Sequence, residues 1–184
     1  MNKLLYSVII FSAMVISPSA MAEIAKASIK NTDPALAADP AKLIKGSATF
    51  QETPDGLKIT IKFKSAPVGK HGIHIHQFGS CSDFGNAAGD HYNPMNAKHG
   101  LVQNDGIAKA HAGDFGNIEI GPDGTGVLKM VIPEMGISTG KYNVGGRSVV
   151  LHEKADDFSQ PLGNAGGRIA CGRIVIKPDP APKP

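Results

Sequence analysis

An excess of charge of either sign is missing from this 184-residue chain. Its 19 Lys and Arg face 16 Asp and Glu, leaving +3. That is too little, and too dispersed, for a nucleic-acid binder that works by neutralising phosphates. A sustained helical apolar period is also missing, which excludes a helical bundle and a coiled coil. There is no internal repeat and no Gly-X-Y period, and a hydrophobic content of 41% excludes a disordered chain. The long apolar run, Leu4 to Ile16, is too short to span a bilayer comfortably, so no membrane span is expected in the mature chain. Glycine and proline are plentiful, at 22 and 13. They punctuate turns, and so favour many short strands joined by loops within one domain of ordinary size.

The N-terminus reads as an address. Met1-Asn2-Lys3 is a short basic start, Leu4 to Ile16 is uncharged, and Ala20-Met21-Ala22 fits the small-x-small cleavage rule. Residues 1–22 are therefore expected to be a cleaved signal peptide, with a buried N-terminal helix as the rival reading. The short basic start suits bacterial export to a periplasm. One domain is expected over residues 23–177, followed by a flexible Pro-rich tail, 178–184. Exported chains meet oxidising conditions, so the even pair Cys81 and Cys171 is expected to bridge.

Residues 57–64 alternate apolar and polar without error, the mark of a half-buried strand. A partner strand at 46–51 lies across the turn Pro54-Asp55-Gly56. Further strands are expected at 27–31, 71–78, 118–120, 127–132, 147–153 and 170–177. Gly121-Pro122-Asp123-Gly124 is expected to join 118–120 to 127–132 as a hairpin. The expectation is an antiparallel all-β domain, sandwich or barrel. Two stretches, 79–115 and 155–169, resist strand assignment, and loops that long in a compact domain are usually functional.

Chemistry collects there. His74 and His76 share one face of a strand while Ile73 and Ile75 take the other. Alone, the pair reads equally as half a metal site or as two solvated histidines. His91, His99, His111 and Asp114 shift the balance, since three imidazoles and a carboxylate make a tetrahedral shell for zinc. His152 follows Ser148-Val149-Val150-Leu151 and faces away from Val149 and Leu151, so the outer surface is expected for it. With His74 and His76 it completes an imidazole set that suits copper better than magnesium or calcium.

The chain resembles the copper/zinc superoxide dismutases. The resemblance rests on Gly72-Ile73-His74-Ile75-His76-Gln77-Phe78-Gly79, His91-Tyr92-Asn93-Pro94, Lys98-His99-Gly100 and His111 to Asn117, followed by Gly146 to Asp157 and Gly167 to Gly172, all in the family's order. It implies an eight-stranded Greek-key barrel with an immunoglobulin-like sandwich topology. Copper would be held by His74, His76, His91 and His152, and zinc by His91, His99, His111 and Asp114, with His91 bridging the two. Asp156 would accept hydrogen bonds from one histidine of each set, and Cys81–Cys171 would be the disulfide within the subunit. Arg168 would attract and orient the substrate anion, superoxide, beside copper. The implied activity is dismutation to dioxygen and hydrogen peroxide through alternate reduction and reoxidation of copper, as antioxidant defence in the periplasm, by a monomer or homodimer.

His71 matches a structural position rather than a ligand. No charged residue lies between Asp157 and Arg168, where many relatives carry a guiding charged loop. Steering is then left to Arg168, the metals, and Lys98, Lys109 or Lys154. A non-catalytic metal carrier on the same scaffold is the rival function, and a purely structural sandwich domain is a third. A carrier built to release copper would lack part of the copper set or the arginine.

Overall fold

The computed structural model describes residues 22–178. The expected leader, apart from Ala22, and the expected tail, apart from Pro178, lie outside the described residues.

The chain forms β1 (Ile24–Asn31), β2 (Lys45–Thr53), β3 (Gly56–Ser65), β4 (Gly69–His76), β5 (Asp114–Ile120), β6 (Gly126–Ile132), β7 (Met135–Gly136), β8 (Tyr142–Asn143), β9 (Ser148–His152), β10 (Arg168–Arg173) and β11 (Val175–Lys177). The described helices are short, such as the kinked 3-10 segment Asp83–Ala88 and the single turn Val102–Asp105. Eight strands join in the order β5-β4-β9-β10-β1-β2-β3-β6, with β11 beside β1, all antiparallel. The sheet curls into a nearly closed barrel, the architecture expected from the alternation.

The alternation explains the core directly. In β3, Leu57, Ile59, Ile61 and Phe63 are buried while Lys58, Lys62 and Lys64 are exposed. The register β2–β3 sets Phe50 opposite Ile59 and Ala48 opposite Ile61, so neighbouring strands turn the same face inward. Ile73, Ile75, Val149 and Leu151 supply the core from β4 and β9. The opposite faces of these two strands are left to carry the histidines.

The expected hairpin does not form. The turn at 121–124 forms, with Gly124 N–H donating to the Gly121 carbonyl over 2.9 Å, but β5 and β6 do not pair through a ladder. They are the two edges of the sheet, meeting at the barrel's seam. Their close approach explains Gly126, where an added Cβ would lie 2.6 Å from the Glu119 carbonyl oxygen. The expected final strand 170–177 is interrupted at Ile174, whose side chain is buried in the core. The small parallel pair β7–β8 had no counterpart among the expected strands.

Candidate metal centre

Six histidines and two aspartates are buried in one place outside the barrel wall: His74, His76, His91, His99, His111, His152, Asp114 and Asp156. Burying so many ionisable groups is unfavourable unless each is hydrogen-bonded or holds a cation. The donor atoms fall into two sets, His74/His76/His91/His152 and His91/His99/His111/Asp114, each with all its donor atoms within 4.8 Å of one another. His91 belongs to both.

The strand set is rigid by construction. His74 and His76 leave the outer face of β4, and His152 leaves β9, which pairs with β4. His152 does project outward, as its parity requires, but it is 5% exposed rather than a surface residue, because the long loops cover that face. His91 arrives on the loop, held by backbone bonds from Tyr92 N–H to the Ile75 carbonyl (2.8 Å) and from Gly113 N–H to the Tyr92 carbonyl (2.9 Å). Arg147 tightens this attachment: its guanidinium lies 3.5 Å from the Tyr92 ring centroid, and Nη1 donates to the Gln77 carbonyl over 2.8 Å.

The nitrogens point as a metal requires. His76 Nδ1 donates to the Gly89 carbonyl at 2.8 Å and His152 Nδ1 to the Gly166 carbonyl at 3.3 Å. Their Nε2 atoms then face each other as lone pairs 3.3 Å apart. Burial, the like charges of neighbouring histidines and Arg168 hold their pKa values down, to about 2 for His76 and about 3 for His152. A proton is therefore not what joins those lone pairs. His74 donates through Nε2 to Asp156 Oδ2 at 2.9 Å, leaving Nδ1 buried and without a partner. A cation among these atoms satisfies all three, so the set fits copper.

The loop set is organised by a carboxylate. Asp114 draws the Nδ1 atoms of His91 (2.8 Å), His99 (2.8 Å) and His111 (3.1 Å) around its oxygens. The His99 Nδ1 lies out of hydrogen-bond alignment despite that distance, and so faces the space a cation would fill. Burial opposes charge on His99, but Asp114 and Asp156 outweigh it and push its pKa up to about 9. Burial, with His74 and His99, holds His91 down to about 4 against the pull of Asp114. Burial likewise favours the neutral acid at Asp114, yet bonds from His111 and His91, with the His99 ring close beside it, hold its carboxyl well below the usual range. Three imidazoles and one carboxylate fit a closed zinc shell.

Asp156 spans the two sets. Its Oδ2 takes the bond from His74 and its Oδ1 the one from His99, both at 2.9 Å. Asn117 grips its backbone in both directions, and Gln160 does the same for His99. Neither amide was among the expected site residues, and no spacing announces them, since each acts through a partner distant in sequence. Gly163 is needed because its left-handed backbone packs on the Asp156–His99 bond, where a Cβ would collide with both groups.

Arg168 lies at the start of β10, half-buried, its backbone opposite His152. Its Nη1 donates to the Gly85 carbonyl at 2.8 Å. That carbonyl belongs to the segment tied to β10 by the Cys81–Cys171 disulfide, which forms as expected with Cα atoms 5.6 Å apart. His71 is buried with its ring nitrogens 2.9 Å from the His152 and Pro67 carbonyls, and joins neither donor set.

The barrel and its buried histidine centre define a β-barrel protein equipped for two adjacent metal ions. The family model described as copper/zinc superoxide dismutase (SODC) matches residues 44–174, and this chain belongs to the copper/zinc superoxide dismutase family of oxidoreductases. It is 39% identical over 142 residues to the extracellular superoxide dismutase [Cu-Zn] of Caenorhabditis elegans, covering 73% of this chain and 62% of that protein. It is 38% identical over 144 residues to the extracellular enzyme of Drosophila melanogaster, covering 73% of this chain and 77% of the relative. Against superoxide dismutase [Cu-Zn] A of Xenopus laevis it is 36% identical over 143 residues, covering 73% and 91%. The fold is also that of the clock protein EA4, with a TM-score of 0.71, 30% identity, and coverage of 88% of this chain and 99% of that one. The family's metals are copper and zinc, and the two donor sets fit one each.

Proposed function

We propose that this chain is an exported superoxide dismutase of the bacterial periplasm. It converts two superoxide anions and two protons to dioxygen and hydrogen peroxide, and so protects the envelope from oxidation. In this reading His74, His76, His91 and His152 hold copper, His91, His99, His111 and Asp114 hold zinc, and the protein works as a monomer or homodimer. The observation that carries it is His91, one imidazole common to two buried donor sets, with Arg168 beside the set suited to a redox metal. Export rests on the three-part leader pattern of residues 1–22, and two of the relatives are named extracellular.

When bound, copper supplies a one-electron redox couple and zinc a fixed positive charge. The protein's residues do the rest. Arg168 attracts the small anion and donates hydrogen bonds to it from a guanidinium that keeps its charge, oriented by the Gly85 carbonyl. His91 has Nδ1 committed to the Asp114 side, so Nε2 is the atom that can take up a proton and pass it to a reduced oxygen. Asp156 fixes the tautomers of His74 and His99.

The test measures metal content and superoxide removal on one sample of mature chain loaded with copper and zinc. Catalytic removal is expected. Arg168→Gln is expected to lower kcat/KM by roughly tenfold, the loss of one charged hydrogen bond, with metal content unchanged. A chain that binds one copper yet turns nothing over is a carrier, and the enzymatic reading falls.

A further inference from the structure

The wall of the barrel remote from the metals is built of β1, β2, β3 and β6, and its outward positions carry Lys, Ser, Thr, Gln, Ile and Val but no carboxylate. One register row crosses all four strands as Lys26, Thr49, Thr60 and Lys129. The pairs Ser47–Lys62 and Gln51–Lys58 flank it. The short polar side chains floor two adjoining open grooves of about 580 and 340 Å³, which share Ser47 and Thr49. Lysines of β1 and β3 form the rims, joined on the larger groove by Arg173 of β10 and Lys177 of β11, and none of these cations is in a salt bridge among the described residues.

Lysines on a sheet often protect an exposed edge from pairing with another chain. That accounts for Lys129 on β6, an edge strand, but β1, β2 and β3 are interior strands. The register also sets Lys30 opposite Lys45, a like-charge pair that disfavours the folded chain and that a bound anion relieves.

We infer that this face is a docking surface for a linear acidic polysaccharide lying along the strands. The ammonium rims neutralise its charges, while the hydroxyl and amide floor bonds its hydroxyl groups. No aromatic side chain occupies these outward positions, so nucleic-acid bases find nothing to stack on. A barrel wall curves away from a plane, so a bilayer meets only its crest, whereas a chain fits the trough. His74, His76, His152 and Arg168 leave β4, β9 and β10 on the other wall, so docking leaves the approach to the metal centre open.

The test uses the metal-loaded chain with dextran sulfate and polygalacturonate as probes. Both are expected to bind at about 50 mM salt and to be released as salt rises. Lys58→Glu/Lys62→Glu is expected to weaken binding by at least about tenfold with dismutase activity unchanged. Lys70→Glu/Lys141→Glu, the same charge change off the face, is expected to cost less than about twofold. The proposal is overturned if neither polymer binds at low salt, or if both double variants weaken equally, which would mean net charge alone is read. Tighter binding to anionic vesicles or to duplex DNA than to either polymer would also overturn it.

Discussion

The two donor sets share His91 yet are built on opposite principles. The strand set is three imidazoles fixed by the pairing of β4 and β9, each anchored through its second nitrogen, with burial holding the pKa values of His76 and His152 down. The loop set has no ladder beneath His99 and His111; it is gathered by the charge of Asp114, which together with Asp156 overcomes burial and pushes the pKa of His99 up to about 9. One set is preorganised by backbone, the other by electrostatics. A redox metal needs lone pairs available at every pH of use. A structural metal can displace protons when it binds, at the cost of a pH-dependent affinity.

Removing one ligand from each set is the sharpest way to break that comparison. His152→Ala should lower copper affinity by more than about 100-fold and leave zinc affinity within about tenfold, and Asp114→Ala should do the reverse. Competition titrations measure both. Equal losses at both metals from either change would show one cooperative site rather than two.

Asp156→Asn should have a smaller and shared effect, roughly 10- to 100-fold at each metal, because its two oxygens hold one histidine of each set. A loss confined to zinc would mean that β4 alone orients His74.

The gentlest lever is pH, acting on the metal-free chain. His76, His152 and His91 have folded pKa values of about 2, 3 and 4, below the unfolded value of about 6.5. The unfolded chain therefore gains protons first, and stability falls as pH drops below about 6.5. Asp114 and Asp156, both depressed, add a further loss below about pH 4. His99 is raised to about 9, so its contribution is complete below about 6.5 and is lost between there and 9. Thermal unfolding of chelator-stripped protein should be most stable near pH 6.5, with the steeper decline on the acid side. A flat acid limb would show that the strand histidines are not buried as neutral rings.

Much of this was legible in the residues. Strict alternation in 57–64 announced a half-buried strand, and parity placed His74 and His76 opposite Ile73 and Ile75. The failures share a cause. Gly121 to Gly124 carries good turn chemistry, yet the strands it joins are the edges of the barrel, because pairing depends on how the whole sheet closes. His152 was expected at the surface because parity reports the side of the wall, not what covers it. Asn117 and Gln160 brace the site through partners far away in sequence.

The local order of side chains settles which atoms are on offer: imidazoles spaced two apart on a strand, glycines where the backbone must bend, lysines and short polar residues on the outward turns of the pleat. Short-range sterics and hydrophobic period suffice for that. Folding alone brings His91 between two donor sets, lays Asp156 across both, and buries six imidazoles together, leaving the Nδ1 atoms of His74 and His99 without a partner in the protein. Those relations join residues as far apart as His74 and Asp156, and they exist only when β4, β9 and the two long loops meet.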